Sequence, residues 1–309
     1  MTSLADKYRP KTFSEVVGND DLKSIIERTL KKADKPQTYI LQGERGCGKT
    51  TLARIMAAEL GATGRDLKEL NISDMRGIDT ARSIIDNINY RPVEGGSKVI
   101  ILNEAHQATK DFQNAMLEKL EEPPPDVYFI ICTTDPQKLL TTIRSRCALR
   151  KFFVKPLKRR ETQELIERVL REEEVEWKER HVVKMVKVAE GNPREALLLL
   201  DNLIDLKGSR LTRALDELMS TTVELPISLA RALNNSAPWK EVAEILKGLE
   251  GGDAEDIRWM MITYMRKVLL GNPSGEKAFI LECFEDSFRD SGLAGLTLAC
   301  YRAVHFFED

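Results

Sequence analysis

One octapeptide concentrates the chemistry of this chain. Gly43-Glu44-Arg45-Gly46-Cys47-Gly48-Lys49-Thr50 fits G-x-x-x-x-G-K-[ST] at every fixed position. Glycines at this spacing let backbone N–H groups turn inward around phosphate oxygens, and the helix start that follows adds partial positive charge. Lys49 has the reach for β- and γ-phosphates, and the Thr50 hydroxyl is a ligand type suited to Mg²⁺. Further along, Val99-Ile100-Ile101-Leu102-Asn103-Glu104 is an apolar run that ends in two polar residues. After a phosphate loop, a carboxylate is expected at such a strand end, near the metal. Glu104 is the candidate base that orients an attacking water, and Asn103 stands where an Asp is usual. Asn103 keeps an oxygen for a metal-bound water but lacks the charge, so restoring Asp is expected to raise turnover or tighten Mg²⁺ dependence. Thr133 and Thr134 close a third apolar run and offer hydroxyls to a γ-phosphate or a water, or simply cap the strand. Arg144-Ser145-Arg146-Cys147 is a basic turn. Arg194 opens a helix, where a cation is unfavourable unless it faces an anion.

These residues need elements to hold them. Tyr39–Leu41, Val99–Leu102 and Tyr128–Cys132 are apolar at consecutive positions, as strands covered on both faces are. Glu69–Asn71 is a weaker strand candidate. Phe112, Ala115, Met116 and Leu120 recur at helical spacing before Pro123-Pro124-Pro125 stops the helix. Strand–helix alternation over residues 1–155 predicts a doubly wound α/β domain. Helices are expected over 159–172, 179–190 and 193–206, a small helical domain spanning 156–206. Residues 207–309, punctuated by Pro226, Pro238, Gly251-Gly252 and Gly271-Asn272-Pro273, predict a third, all-α domain of five or six helices.

Composition sets the outer limits. The 309 residues, at about 100–200 per domain, allow two or three domains. The charge is nearly balanced, 47 Lys+Arg against 49 Asp+Glu, which excludes nucleic-acid coating by bulk charge but not a local basic face. No apolar run approaches the ~20 residues of a membrane span. The first ten residues hold no signal-peptide core, and the five cysteines form no C-x-x-C pair, so a reducing cytoplasm is the expected location.

Taken together, these segments resemble the AAA+ ATPases of the sliding-clamp loader family. The resemblance covers residues 1–206 well and 207–309 only in architecture. It is carried by Lys7-Tyr8-Arg9-Pro10, Thr12 to Gly18, the phosphate loop, Leu120-Glu121-Glu122-Pro123-Pro124, Thr133-Thr134-Asp135-Pro136-Gln137, Ser145-Arg146-Cys147 and Gly191-Asn192-Pro193-Arg194. It implies an α/β P-loop domain, a helical lid and an all-α collar. It also implies a Mg²⁺-dependent ATP hydrolase that opens a ring-shaped clamp and loads it onto primer–template DNA. Tyr8, Arg9, Val16 and Val17 would lie on the adenine side, and Gly43, Arg45, Gly46, Cys47, Gly48, Lys49, Thr50 and Thr51 around the phosphates. Glu104 would act with Thr133 or Thr134 as sensor 1 and Arg194 as sensor 2. Arg146 would reach a neighbouring subunit's nucleotide in trans. Partners implied are the clamp, primer–template DNA bound without sequence preference, and other loader subunits in a ring or spiral pentamer. Candidate DNA-phosphate contacts are Arg76, Arg82 and Lys110, and the stretch from Ile84 to Tyr90 is the candidate region for the clamp.

Three features depart from the bacterial gamma/tau pattern. Residues 58–69 carry no cysteine where that subunit has a zinc module. Asn103 replaces an Asp, and the long tail of some bacterial forms is not expected after Asp309. A reduced, bacteriophage-type loader subunit (acting in a host cytoplasm) is the expectation that follows. A branch-migration helicase, or a loader subunit without catalysis, are the alternatives.

Overall fold

The computed structural model describes residues 3–146, 151–249 and 253–305. Packing divides the chain into two compact units, Met1–Trp177 with Ala189–Ile204, and Lys178–Val188 with Asp205–Asp309.

The first unit is built on five parallel strands: β1 (Thr38–Gln42), β2 (Leu67–Asn71), β3 (Lys98–Asn103), β4 (Val127–Thr133) and β5 (Lys151–Phe153). They lie in the order β2-β3-β4-β1-β5. The apolar runs alternate their side chains between two cores, as the two-residue strand period requires. Val99, Ile101, Tyr128 and Ile130 enter one core, while Ile100, Leu102, Phe129 and Ile131 enter the other. The short α1 (Leu4–Lys7) precedes α2 (Asp20–Leu30) and α3 (Lys49–Glu59). The first core is covered by α2 and α3, through Ile26, Leu52, Ile55 and Met56. The second is covered by α4 (Ile78–Ile88), α5 (Lys110–Glu121) and α6 (Thr141–Arg146), through Ala81, Ile84, Phe112, Met116 and Ile143. Helices on both faces explain why these strands read as continuous apolar runs.

Two further helices, α7 (Arg159–Glu172) and α9 (Pro193–Leu203), complete this unit, and both α1 and α7 pack against α9. Asn19 clips the N-terminal segment to the strap after β5, because its amide donates to Lys155 O and its Oδ1 accepts from Lys155 N.

The second unit contains only helices among its described residues. They are α8 (Glu179–Val188), α10 (Gly208–Met219), a π turn at Ser220–Glu224, α11 (Leu225–Asn234), α12 (Trp239–Gly248), α13 (Ala254–Gly271), α14 (Gly275–Cys283) and α15 (Gly292–His305). Helix α8 packs on α10, with His181 Nε2 3.0 Å from Thr212 Oγ1 and Lys184 paired with Asp216. The core of the remaining helices is drawn from Leu229, Leu233, Met261, Met265, Phe284 and Leu296. No helix among the described residues is long and apolar enough to cross a membrane.

Candidate functional site

Sheet order brings the chemistry-bearing residues together. Strands β1, β4 and β3 are neighbours, and their carboxyl ends carry the phosphate loop, Thr133 and the Asn103-Glu104 pair. In open parallel sheets this edge is where ligands bind. The loop start is tied to β4, since Gly43 N donates to Thr133 O at 3.3 Å.

Close approaches explain the glycines. A Cβ at Gly43 would stand 2.3 Å from Val154 O, so the strap leaving β5 can pass there only beside a glycine. Gly46 has φ +77°, and a Cβ on it would meet the Asn192 side chain at 2.3 Å. Asn192 in turn donates to Arg45 O at 3.2 Å and caps α9 by accepting from the N–H groups of Arg194 and Glu195. The N-termini of α3 and α9 therefore converge on one loop, and each contributes partial positive charge.

Lys49 is buried, with its ammonium donating to Gly43 O and Glu44 O at 2.9 and 2.8 Å. Its contacts are carbonyl dipoles, with no carboxylate in an ion pair among the described residues. A buried cation so placed fits a phosphate anion. Beside it, the Thr50 hydroxyl donates to Asn103 Oδ1 at 2.8 Å. Two neutral oxygens at the end of a phosphate loop fit Mg²⁺, a hard cation that keeps several waters. Cys47 faces inward, its thiol on Glu44 O, and burial pushes that thiol's pKa up. Arg45 is exposed, and Thr51 is half-buried in the first turn of α3.

Glu104 sits in the left-handed region at φ +52°, a costly conformation for a residue with a side chain and one that clusters at functional sites. Its carboxylate is 3.5 Å from His106 Nδ1, and the same nitrogen is 3.3 Å from Thr133 Oγ1. Burial holds the His106 imidazole below its ordinary range, against the opposing pull of Glu104. Thr133 is fully buried and its Oγ1 also accepts from Asp135 N, whereas Thr134 is exposed. Both threonine hydroxyls lie within reach of His106, Thr133 Oγ1 at 3.3 Å from Nδ1 and Thr134 Oγ1 at 3.5 Å from either ring nitrogen, and Thr133 is the buried one. Motif spacing assigns no role to His106 or Asn192, although Asn-Pro is a recognisable helix-start signal.

The remaining candidates fall at several places. Arg194 is exposed in the first turn of α9. Tyr8 and Lys7 both bind Glu173 Oε1 at 2.6 Å, and Arg9 pairs with Asp6. Val16 packs on the first core, and its carbonyl accepts from Lys23 Nζ, while Val17 is half-buried beside Gly18. Arg76, Arg82 and Lys110 are all exposed. Thr109, the N-cap of α5, donates through N and Oγ1 to Arg76 O, which brings Arg76 and Lys110 to the same end of the fold. Arg82 pairs with Asp79 within α4. Tyr90, at the end of the candidate clamp stretch, is 70% exposed. Arg146 closes α6, and its side chain lies outside the described residues, as do Cys147 and Leu149.

One expectation changes here. The Asn103 Nδ2 donates to Glu69 Oε1 at 2.9 Å. An Asp introduced at position 103 would face a second carboxylate at that distance, and like charges this close oppose joint ionisation. Restoring Asp alone is therefore not expected to tighten Mg²⁺ dependence.

The chain is similar to several known proteins. Residues 65–155 match the family model described as DNA polymerase III, delta subunit. The chain is 34% identical over 230 residues to DNA polymerase III subunit tau/gamma of Haemophilus influenzae, covering 68% of this chain and 33% of that protein. It is 35% identical over 222 residues to DNA polymerase III subunit tau of Escherichia coli, covering 65% and 34%. The match thus spans about a third of the length of these curated relatives. Among solved structures, the RuvB Holliday junction branch migration motor of Thermotoga maritima superposes with a TM-score of 0.57 at 20% identity, over 73% of this chain and 79% of that one. A point variant of the same protein extends over 92% of this chain and 88% of that one, at 19% identity and a TM-score of 0.55. The fold shared with this motor is a parallel five-stranded α/β domain followed by a helical part.

Proposed function

We propose that this chain is the ATPase subunit of a DNA sliding-clamp loader. The observation that carries the nucleotide reading is the convergence of Lys49, Thr50, Asn103 and Glu104 on one sheet edge, under the N-terminus of α9. Similarity to DNA polymerase III tau/gamma over two thirds of the chain directs that chemistry toward clamp loading. In this reading Lys49 and the loop N–H groups hold the phosphates. Thr50 and Asn103 hold Mg²⁺, which when bound neutralises charge on the phosphate oxygens. Glu104 orients the attacking water, with Thr133 and Arg194 sensing the γ-phosphate and Arg146 entering a neighbour's site. Residues 1–155 act as motor, 156–206 as lid and 207–309 as collar in a ring or spiral of subunits, although of the lid segment α7 and α9 belong to the first compact unit and α8 to the second. ATP favours one packing of neighbours, and loss of the γ-phosphate removes that preference. Arg76, Arg82 and Lys110 meet DNA phosphates, contacts suited to acting at any sequence.

A branch-migration motor shares the fold at 20% identity. The winged-helix domain expected of such a motor needs strands, and the second unit has none among its described residues. ATP hydrolysis measured alone, with primed DNA, and with primed DNA plus clamp separates the readings. Stimulation by clamp and DNA together is expected, and its absence rejects the loader. Lys49→Ala is expected to abolish nucleotide binding. Arg146→Ala is expected to spare binding by its own subunit and to slow hydrolysis at the neighbouring site in mixed assemblies.

A further inference from the structure

The residue that replaces the expected Asp is held from both sides. Asn103 Oδ1 accepts from the Thr50 hydroxyl, and its Nδ2 donates to Glu69 Oε1. Glu69 is fixed by a two-point fork, Arg54 Nε to Oε2 at 2.7 Å and a terminal guanidinium nitrogen to Oε1 at 3.1 Å. Helix and sheet geometry place all four. Thr50 and Arg54 are one turn apart on α3 and so lie on the same face. In the β2–β3 pair Asn71 is level with Asn103, and Glu69, two residues before Asn71, shares its side of the strand.

The chemistry of the partners decides which way the amide points. A hydroxyl both donates and accepts, so Thr50 alone would tolerate either orientation of Asn103. A carboxylate only accepts, so Glu69 demands the nitrogen on its own side. The oxygen is then turned toward Thr50. We infer that Glu69, locked by Arg54, is a positioning residue that holds the Asn103 amide oxygen toward Thr50 and Mg²⁺. This inference rests on the Mg²⁺-nucleotide reading given above. It also makes the Asn intelligible: with a carboxylate fixed on one side, the neutral amide is the partner that satisfies both neighbours, whereas Asp at 103 would oppose Glu69.

Two measurements test this on the full chain. The first is Mg²⁺ titration of the binding of a fluorescent ATP analogue, followed by anisotropy. Partners that orient a metal ligand typically change metal affinity by about tenfold or more when removed. Glu69→Gln is therefore expected to raise the half-saturating Mg²⁺ concentration about tenfold, with Mg²⁺-free nucleotide affinity changed less than about twofold. Asn103→Asp alone is expected to gain nothing. Asn103→Asp combined with Glu69→Gln is expected to recover most of the Mg²⁺ affinity, because Gln can donate to the new carboxylate. The second measurement is urea unfolding of the same four proteins, which needs no ligand. Asn103→Asp is expected to lower the midpoint beside Glu69 but not beside Gln at position 69. A Glu69→Gln titration within twofold of the parent, or a double variant no better than Glu69→Gln alone, overturns the inference. Failure of the parent protein to bind nucleotide, or binding unaffected by Lys49→Ala, overturns the nucleotide reading and the Mg²⁺ role with it. The unfolding cycle then decides separately whether Glu69 sets the amide's orientation.

Discussion

Two Arg–Glu pairs, one in each unit, use the same chemistry to different ends. In the second unit Arg258 and Glu255 lie one turn apart on α13, with side chains only 6% and 15% exposed. Every strong group of the pair is consumed by the fold. The guanidinium also donates to Phe284 O and Glu285 O, and the carboxylate accepts from Ser287 Oγ and Phe288 N. The pair thereby ties α13 to the segment after α14. In the first unit Arg54 and Glu69 are 41% and 27% exposed, and Glu69 spends one oxygen on Asn103. A buried pair fully engaged with backbone is a structural fastening. A half-exposed pair with an acceptor to spare can orient a third side chain without carrying much of the fold's stability.

The largest expected effect sharpens that contrast. Arg258→Ala leaves a buried carboxylate without its cation and two carbonyls without a donor. Breaking a buried pair in this way costs about 3–5 kcal/mol. Hydrogen exchange across residues 254–305 should show the loss as faster opening of α13 and α15, while β3 and β4 keep their protection. Equal loosening of both units would contradict the separation drawn between the pairs.

Acid gives a second, smaller handle. The hydrogen bonds from Arg258, together with the Phe288 N–H, hold the Glu255 carboxyl below the ordinary range for a glutamate, against the opposing effect of burial. Because the folded-state pKa is depressed, the stabilisation is complete above the unfolded value near ~4.3 and is lost as pH falls through the lower folded value. Unfolding of the second unit, followed by circular dichroism with urea at pH 7 and then below about pH 4, should therefore show a midpoint that drops with acid. Glu255→Gln should start lower at pH 7 and show a shallower drop. An identical pH slope in the variant would mean that other carboxylates set the acid response.

How much of this is legible in the residues depends on the range of the interaction. The phosphate loop, β1, β3, β4 and the stop of α5 are local signals: glycine spacing, apolar runs and a proline cluster. They lie where the pattern puts them, to within one or two residues. The partners of those residues are set by register. Glu69 sits on a weakly apolar edge strand, and only the β2–β3 pairing brings it to Asn103, 34 positions away. Asp66 is similar, a buried carboxylate that accepts N–H bonds from Val93, Glu94 and Gly95, a loop that nothing in its own segment foretells. Arg258 reads as a surface cation on a helix, and only packing reveals it as buried. Local physics writes the elements and the loop glycines, while long-range pairing decides which polar groups share a hydrogen bond.

The smallest expected effect is the most discriminating. Arg54→Lys keeps the positive charge beside Glu69 but replaces a planar two-point fork with a single ammonium, a change that is not conservative where both donors are used. Exposed pairs contribute about 0–1 kcal/mol, so urea stability should move by less than about 1 kcal/mol. If charge alone matters at Glu69, Mg²⁺-dependent nucleotide binding should also stay put. If the fork fixes the carboxylate, and the carboxylate fixes Asn103, the half-saturating Mg²⁺ concentration should rise by about two- to threefold with the unfolding midpoint nearly unchanged. A shift in Mg²⁺ dependence without a shift in stability is the signature that separates orientation from fastening. The corresponding Arg258→Lys change should do the reverse, lowering the stability of the second unit and leaving the Mg²⁺ titration where it was.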